Sequence, residues 1–157
     1  MKLLMERWNN YLREDEDMNR VSKAIIVGDL EGFNKDKILI LRRSKRLITK
    51  ESPWEWDLPG GHVHEGEPDD EALRREVEEE TNIELLHIPH WFMLAKNTRF
   101  YFVLDWQGSL QLSDEHDDFE WIEPKEATNY NLGKMYTNAI KQAFNKLYQV
   151  ETYLLQI

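Results

Sequence analysis

Acidic residues are concentrated in one short segment of this 157-residue chain, between positions 65 and 80, which contains nine Asp and Glu residues and only two arginines. Pro68 suits the first position of a helix, and the three acids after it suit the positive end of the helix dipole. On a helix that turns by about 100° per residue, Leu73 and Val77 fall on one apolar face. The segment therefore predicts an amphipathic helix from Pro68 to about Thr81 that packs on the protein by that face.

Three glutamates of the predicted helix, Glu76, Glu79 and Glu80, interleave with or border the apolar face. Carboxylates that are partly buried beside one another are costly unless a positive charge neutralises them. Glu76 and Glu80 also form a like-charge pair one turn apart, near the helix end where the dipole disfavours anions. Because these ligands are all oxygens, the pattern predicts a hard divalent cation such as Mg²⁺ or Mn²⁺. A solvated acidic helix face is the alternative interpretation.

Short aliphatic or aromatic runs predict strands, and helical patterns flank them. The predicted strands are Val21–Val27, Ile38–Leu41, Ile83–Leu94, Arg99–Trp106 and Glu120–Ile122, with further helices at 2–14 and from Lys134 to about Gln149. Alternating strands and helices, with hairpin-like pairs of strands, predict an α/β protein with a mixed β-sheet covered by helices. The length suits one hydrophobic core and predicts a single domain over residues 1–157.

Charge and cysteine content exclude several classes of function. The chain carries 30 acidic and 20 basic residues, a formal net charge of −10, which disfavours binding to duplex nucleic acid. It has no cysteine, which excludes a disulfide scaffold and thiol catalysis and fits a reducing cytoplasm. The first residues hold only a short apolar run, which is neither a signal peptide nor a membrane span. We therefore expect a cytoplasmic protein with no membrane partner.

The segment Gly61–Ile83 resembles the signature of the Nudix hydrolases. That signature is a glycine, five residues, a glutamate, seven residues, and then Arg-Glu-apolar-any-Glu-Glu-any-Gly-apolar. Each specified position matches except the late glycine, which is Asn82 here. Asparagine most readily replaces glycine in the left-handed region, so we predict a positive φ at Asn82 and a helix that ends just before it. The resemblance implies the Nudix fold, a mixed β-sheet sandwiched between α-helices.

The resemblance also implies a pyrophosphohydrolase that cleaves a pyrophosphate bond in a nucleoside diphosphate linked to another group. The candidate substrates are a nucleotide, a dinucleoside polyphosphate, and ADP-ribose or a sugar nucleotide. By matching position, Glu76, Glu79 and Glu80 would bind Mg²⁺ or Mn²⁺. The Gly60 carbonyl would be a further ligand, and Arg75 would orient Glu79. Such cations offset the charge of the phosphates, while a base must deprotonate the attacking water.

The general base varies within the family between a glutamate of this helix and one of a later loop. Glu76 and Glu79 are the helix candidates, and Glu115 and Glu120 are the loop candidates. Glu120 directly precedes Trp121 of the predicted closing strand, which gives it the better position of the two. The alternative interpretation of Glu120 is an exposed loop acid.

Four residues are candidates for binding the substrate. Arg42 and Arg43 would point to opposite sides of a strand, so at most one of them faces the phosphates. Trp56 offers a π-face to a base, although an isolated aromatic residue is more often part of a core. Tyr101 is placed like the tyrosine of Nudix enzymes that act on dinucleoside polyphosphates, but its strand has the composition of any buried strand.

Two interpretations come from other classes of protein. A Nudix-like module could bind a nucleotide as a sensor without turnover, although the presence of all the signature acids favours an enzyme. An acidic structural protein with an accidental match would bind no metal.

The expected partner is a small-molecule nucleotide. We expect a monomer or a homodimer, because the apolar side chains of the predicted first helix could cover the core or contact a second copy.

Overall fold

The computed structural model describes residues 2–7, 19–28 and 36–156, the last range without the side chains of 147–154. Residues 2–7 are helical (α1), and the rest of the helix predicted at 2–14 lies outside the described residues. The longer helices are α2, Asp69–Thr81, and α3, Lys134–Leu155, with short 3-10 helices at Lys45–Leu47 and Pro124–Asn129. The strands are β1 Val21–Ile26, β2 Ile38–Arg43, β3 Trp56–Asp57, β4 Gly60–His62, β5 Glu84–His87, β6 Met93–Ala95, β7 Thr98–Val103, β8 Asp105–Gln107 and β9 His116–Ile122.

Strand β1 lies inside a mixed four-stranded sheet with the order β4-β1-β7-β6. It runs parallel to β7, with Val21 beside Thr98, and antiparallel to β4, with Lys23 beside Gly60. A second sheet, β3-β2-β9, is antiparallel, and β5 pairs with β8 in the same sense. The prediction of a mixed sheet is confirmed, and the pairing of β1 with β4 brings the middle of β1 next to the glycines that precede α2.

Alternate residues of β1 point into two separate clusters of buried side chains. Ile25 is fully buried in a cluster that includes Ile140 of α3, which we call the α3 cluster. Ile26 is fully buried in a cluster that includes Leu73 and Val77 of α2, which we call the α2 cluster. Burying one such side chain stabilises the fold by roughly 1.5–3 kcal/mol. The strands therefore lie between α2 and α3, which confirms the predicted sandwich.

Both ends of α2 have the backbone geometry of helix caps. Pro68 caps the helix in an extended conformation, so α2 begins at Asp69, one residue later than predicted. At the other end, Asn82 adopts φ 63° and ψ 14° in the left-handed region, and its backbone N–H donates to the Glu78 carbonyl. The side-chain amide of Asn82 donates to the Ser109 carbonyl at 3.1 Å. The predicted positive φ and the predicted helix end are both confirmed.

Replacing Asn82 by alanine should lower the free energy of unfolding by about 1 kcal/mol or more. Alanine bears the full steric cost of the left-handed conformation and also loses the hydrogen bond to Ser109. Asn82→Gly loses only the side-chain bond, because glycine adopts a positive φ without strain, so it should cost less. Urea unfolding followed by circular dichroism measures both variants. Equal losses would contradict a role for the backbone conformation at this position.

Two predicted strands are wrong in their extent because each is interrupted. The strand predicted at Ile83–Leu94 is two strands, β5 and β6, separated by a stretch that contains Pro89, which cannot donate to a strand ladder. The strand predicted at Arg99–Trp106 is β7 and β8, and the break at Leu104 moves the chain from pairing with β1 to pairing with β5.

The short strand predicted at Glu120–Ile122 begins earlier, at His116, because the acidic segment before it pairs with the end of β2. Asp118 lies opposite Arg42 in this pairing, and β2 itself extends to Arg43. Helix α3 likewise continues past its predicted end. Within the described residues, no helix has both the length and the apolar character that crossing a membrane requires.

Candidate active site

Helix α2 packs against β1 and β4, and a cleft of about 400 Å³ lies beside this contact. Its wall includes Lys23 of β1, Arg43 of β2, Gly60 and Gly61 of β4, Glu76 and Glu80 of α2, Glu115 and His116 at the start of β9, and Tyr136 of α3. Side-chain and backbone groups of these six separate elements therefore meet in one concave site. Glu79 is not among the residues that line it.

Two consecutive glycines let the backbone of β4 lie directly against its neighbours. Gly60 has φ 132°, and a Cβ atom there would lie 2.1 Å from the Ser22 carbonyl oxygen. A Cβ atom at Gly61 would lie 2.5 Å from the carboxyl carbon of Glu76. The bare backbone at Gly61 therefore provides the space that the Glu76 carboxylate occupies.

Gly61→Ala should lower kcat/KM by roughly tenfold or more, because the new methyl group displaces the Glu76 carboxylate from its place in the cleft. The loss of stability should be small, since only the far end of a flexible side chain has to move. Gly66→Ala is the control, because no atom lies within 4 Å of its added Cβ, although its positive φ of 75° adds a backbone strain that Gly61→Ala does not have. Equal activity of the two variants would contradict this packing role.

Lys23 and Asp57 form a largely buried ion pair in the wall of the cleft. Lys23 is 6% exposed, and its Nζ donates to Asp57 Oδ1 at 3.0 Å, to the Leu58 carbonyl at 3.0 Å and to the Gly60 carbonyl at 3.1 Å. Burial by itself lowers the pKa of the ammonium, but Asp57, together with Tyr136 and Glu80, outweighs burial and holds that pKa above its ordinary value. In turn, burial raises the pKa of Asp57, and the ammonium overrides it to hold that pKa at about 2. Both groups are therefore charged at neutral pH.

Glu80 is 5% exposed, and its carboxyl group accepts the backbone N–H of Gly60 at 3.3 Å. Burial raises the pKa of Glu80 to about 8, although the nearby Lys23 ammonium opposes the shift. In the metal-free protein this carboxyl group therefore holds a proton at neutral pH. A bound divalent cation would favour the ionised form instead.

The raised pKa of Glu80 predicts a pH-dependent stability in the metal-free protein. The ordinary pKa of the group is 4.5, so between about pH 4.5 and 8 the folded state binds more protons than the unfolded state. The stabilisation is fully present below pH 4.5, and it is lost as the pH rises through 8, with a slope of up to about 1.4 kcal/mol per pH unit. Chemical unfolding in EDTA at several pH values should give a flatter dependence for Glu80→Gln than for the wild type. An identical slope would contradict the shift.

Arg75 fixes the direction of carboxylates beside the cleft. Its guanidinium donates to both oxygens of Glu67 at 3.0 Å, to Glu76 at 2.8 Å and to the His62 carbonyl at 3.0 Å. The hydrogen bonds from Arg75 lower the pKa of Glu67 to about 2. Glu79 lies farther from Arg75, at 3.6 Å, and its side chain is 62% exposed. Arg75 therefore holds Glu76 more closely than Glu79, the residue that it was predicted to orient.

Of the two adjacent arginines, only Arg43 lines the cleft, in agreement with the alternation predicted for the strand. Its guanidinium donates to three backbone carbonyls of the loop between β2 and β3, those of Leu47 (2.7 Å), Ser52 (3.0 Å) and Trp54 (2.8 Å). Arg42 is not part of the cleft wall, and its Nε pairs with Asp117 at 2.7 Å. Arg43 is thus the arginine of β2 that the structure brings to the site.

Three further sequence candidates lie outside the cleft wall. Trp56 is 8% exposed and packs edge-on against Tyr130 in the α3 cluster, with ring centroids 5.2 Å apart. Tyr101 is 3% exposed in the α2 cluster, where burial raises its pKa to about 12. Glu120 accepts a hydrogen bond from the Tyr130 hydroxyl at 2.5 Å. Of the two loop acids considered, Glu115 is the one that the fold places in the cleft wall.

The oxygen donors of the cleft fit a hard divalent cation only in part. Glu76 and Glu80 supply carboxylates, the ligands that Mg²⁺ prefers. In the part of the chain that the structure describes, however, no three Asp, Glu or His side chains are close enough together to hold a metal ion. The Gly60 carbonyl already accepts a hydrogen bond from Lys23. By donor chemistry the helix carboxylates fit a metal, whereas a cation at the Gly60 carbonyl would share that oxygen with the Lys23 ammonium and be repelled by it.

Several residues of the cleft were not predicted from the sequence. The signal for Lys23 is its place within an aliphatic strand, since a buried ammonium requires a carboxylate partner. That partner, Asp57, lies three residues before Gly60. His116 and Tyr136 carry no comparable signal, because only the folded chain brings them to the cleft. The Nε2 atom of His116 lies 3.8 Å from Asp57, and its buried Nδ1 has no hydrogen-bond partner among the described residues.

Residues 22–143 of the chain match the model of the NUDIX domain family. The nucleoside triphosphatase NudI of Escherichia coli is 31% identical over 98 residues, which covers 51% of this chain and 70% of NudI. The solution structure of the E. coli ORF135 protein gives a TM-score of 0.62 at 28% identity, covering 83% of this chain and 91% of that one. The crystal structure of a MutT NUDIX hydrolase from Burkholderia pseudomallei gives 0.61 at 25% identity, covering 79% and 96%.

The fold is thus that of a Nudix-type hydrolase domain. The chain belongs to the NUDIX domain family. The predictions of the Nudix fold and of a Nudix-type pyrophosphohydrolase are confirmed at the level of this family. Nudix hydrolases act on nucleoside diphosphate derivatives and generally use divalent metal cations.

Proposed function

We propose that this chain is a Mg²⁺-dependent pyrophosphohydrolase of a small nucleotide, with nucleoside triphosphates as the first candidate substrates. The observation that carries the proposal is the cleft in which Glu76 and Glu80 of α2 meet Glu115 and Arg43. The similarity to NudI, named a nucleoside triphosphatase, supports the choice of substrate class. Mn²⁺ is the expected substitute for Mg²⁺, because both prefer oxygen ligands.

The proposed roles follow from the positions of the carboxylates. Glu76 and Glu80 of the cleft wall would hold the cation, with Arg75 fixing the direction of Glu76, and Glu79 would join them only by turning in from its exposed position. When bound, the cation would offset the phosphate charge and lower the pKa of a bound water. A carboxylate base takes a proton from the attacking water, the new phosphorus–oxygen bond forms, and the bond to the bridging oxygen breaks with its electron pair leaving on the departing phosphate. Glu76 and Glu115 are the candidates for that base.

Positive charge in the cleft would contact the phosphates of the substrate. Arg43 is the candidate for this role, because Arg42 is paired with Asp117 outside the cleft. The burial of Tyr101 and Trp56 leaves both in the protein core, so neither supports a base-stacking site or a preference for dinucleoside polyphosphates. Nucleoside triphosphates therefore rank above dinucleoside polyphosphates as substrates.

We also propose that residues 1–157 form one domain that acts in the cytoplasm on a small molecule. The family match over residues 22–143 and the packing of α3 on the central strands support a single domain. The net charge of −10 supports a small-molecule substrate over duplex nucleic acid, and the lack of cysteine supports a reducing compartment. The protein would act as a monomer or a homodimer.

A nucleotide sensor without turnover is the second candidate function. It is favoured by one observation, that the described residues hold no ready-made group of three acids able to hold a metal ion. In a sensor, the cleft would bind the nucleotide through Arg43 and the acids of α2 would have no catalytic role.

A substrate panel with product identification separates the two functions. Nucleoside triphosphates, dinucleoside polyphosphates and ADP-ribose are incubated with the protein and Mg²⁺, and the products are resolved by anion-exchange chromatography. We expect cleavage of nucleoside triphosphates to a monophosphate and pyrophosphate, with slower cleavage of the other classes. Calorimetric binding of a panel nucleotide with no turnover of any would instead establish the sensor.

A further inference from the structure

Both backbone polar groups of Gly60 are hydrogen-bonded to buried, ionisable side chains. Its N–H donates to Glu80 at 3.3 Å, and its carbonyl accepts from the Lys23 ammonium at 3.1 Å. The positive φ of Gly60 and its close approach to Ser22 fix the directions of its N–H and its carbonyl. The carbonyl therefore has a permanent cationic partner supplied by the protein itself.

The Lys23 ammonium cannot leave this position without losing all of its partners. An ammonium group has three N–H donors, and here Asp57, the Leu58 carbonyl and the Gly60 carbonyl accept all three. The side chain is buried, and the ring of Tyr136 lies 5.9 Å from the nitrogen. Moving Lys23 away would leave the largely buried Asp57 carboxylate, whose side chain is 17% exposed, without its partner, which is unfavourable.

We propose that Lys23 takes the place of a metal ion at the Gly60 carbonyl, so that the divalent cation of this protein is held by carboxylates and not by that carbonyl. A divalent cation on the same oxygen would share its acceptor with an ammonium and be repelled by it at short range in a poorly solvated site. The inference rests on the proposed metal-dependent function, and it assigns to Lys23 the role of limiting how many cations the cleft holds.

A charge-neutral double substitution tests this role. Lys23→Met/Asp57→Asn removes the ammonium and its partner together, so the net charge of the protein is unchanged. Titration with Mn²⁺ followed by electron paramagnetic resonance should show that this variant binds one more ion than the wild type, or binds Mn²⁺ at least tenfold more tightly. Arg42→Met/Asp117→Asn, which removes an ion pair outside the cleft wall, should bind Mn²⁺ as the wild type does. Identical Mn²⁺ binding by all three proteins overturns the proposal.

A second measurement needs only the wild-type protein. Pulsed electron paramagnetic resonance of bound Mn²⁺, in protein labelled with carbonyl-¹³C glycine, detects whether any glycine carbonyl coordinates the metal. We expect no ¹³C coupling of the size that direct coordination gives. Strong coupling would overturn the role of Lys23 while leaving the metal-dependent function intact. If the wild-type protein binds no Mn²⁺ at all, both the role of Lys23 and the metal-dependent function are overturned.

Discussion

Glu76→Gln should lower kcat/KM by about 10²–10⁴-fold with little change in stability. Glu76 lines the cleft, and Arg75 fixes its carboxylate at 2.8 Å. The substitution removes one negative oxygen ligand and a candidate base, each of which contributes strongly to a metal-assisted hydrolysis. The amide keeps the shape of the side chain and an oxygen that still accepts from Arg75. Steady-state kinetics and thermal unfolding, measured on the same preparation, provide both values.

The matched control is Glu78→Gln. Glu78 lies on the same helix two residues away, carries the same charge and is exposed outside the cleft wall. Its substitution should leave kcat/KM within about twofold of the wild type, because the effect of a distant surface charge is screened by salt. A loss of activity of the same size in both variants would mean that the total negative charge of α2, and not the position of Glu76, supports the reaction.

Asp57→Asn should lower the free energy of unfolding by about 3–5 kcal/mol, because it leaves the Lys23 ammonium buried without a carboxylate. Lys23 is 6% exposed and lies 3.0 Å from Asp57. The pKa of Asp57 is held at about 2, below its ordinary 3.8, so the stabilisation is present above about pH 4 and is lost as the pH falls through 2. Urea denaturation at pH 7 measures the loss.

The double variant Lys23→Met/Asp57→Asn should recover most of this loss, because no unpaired charge remains in the core. Asp117→Asn breaks the exposed pair with Arg42, and it should cost no more than about 1 kcal/mol. If Asp57→Asn and Asp117→Asn were equally mild, the buried pair would not be a strong determinant of stability. If the double variant were less stable than Asp57→Asn, the loss of stability would come from altered apolar packing and not from an unpaired charge.

The sequence predicted the helix that carries the signature more accurately than the strands around it. Its apolar period, its acidic first turn and the asparagine at its end are all local signals, and Asn82 has the predicted conformation. Both breaks were missed: the one at Pro89 had a local signal, since proline cannot donate to a strand ladder, whereas Leu104 gives no sign that the chain changes its pairing partner there. Local patterns thus predicted α2 and the class of fold but not the full sheet topology.

Within the site, the sequence predicted the residues of one helix better than those that tertiary contacts bring to it. Glu76 and Glu80 turn toward the protein as the helical period predicts, while Glu79 lies more in solvent. Position along the chain favoured Glu120 over Glu115. It did not reveal that the Glu120 carboxylate accepts a hydrogen bond from the Tyr130 hydroxyl. A hydrogen-bond partner ten residues away in the sequence becomes visible only in the fold.

Hydrolysis in H₂¹⁸O followed by ³¹P nuclear magnetic resonance tests the central claim most directly. A nucleoside triphosphate is incubated with the wild-type protein and Mg²⁺, and with Glu76→Gln as the inactive reference. We expect Mg²⁺-dependent release of a monophosphate and pyrophosphate, with one ¹⁸O bound to phosphorus in a single product, and almost no reaction with the variant or in EDTA. Equal turnover without a divalent cation, or equal turnover by Glu76→Gln, would contradict a metal-assisted attack of water in this cleft.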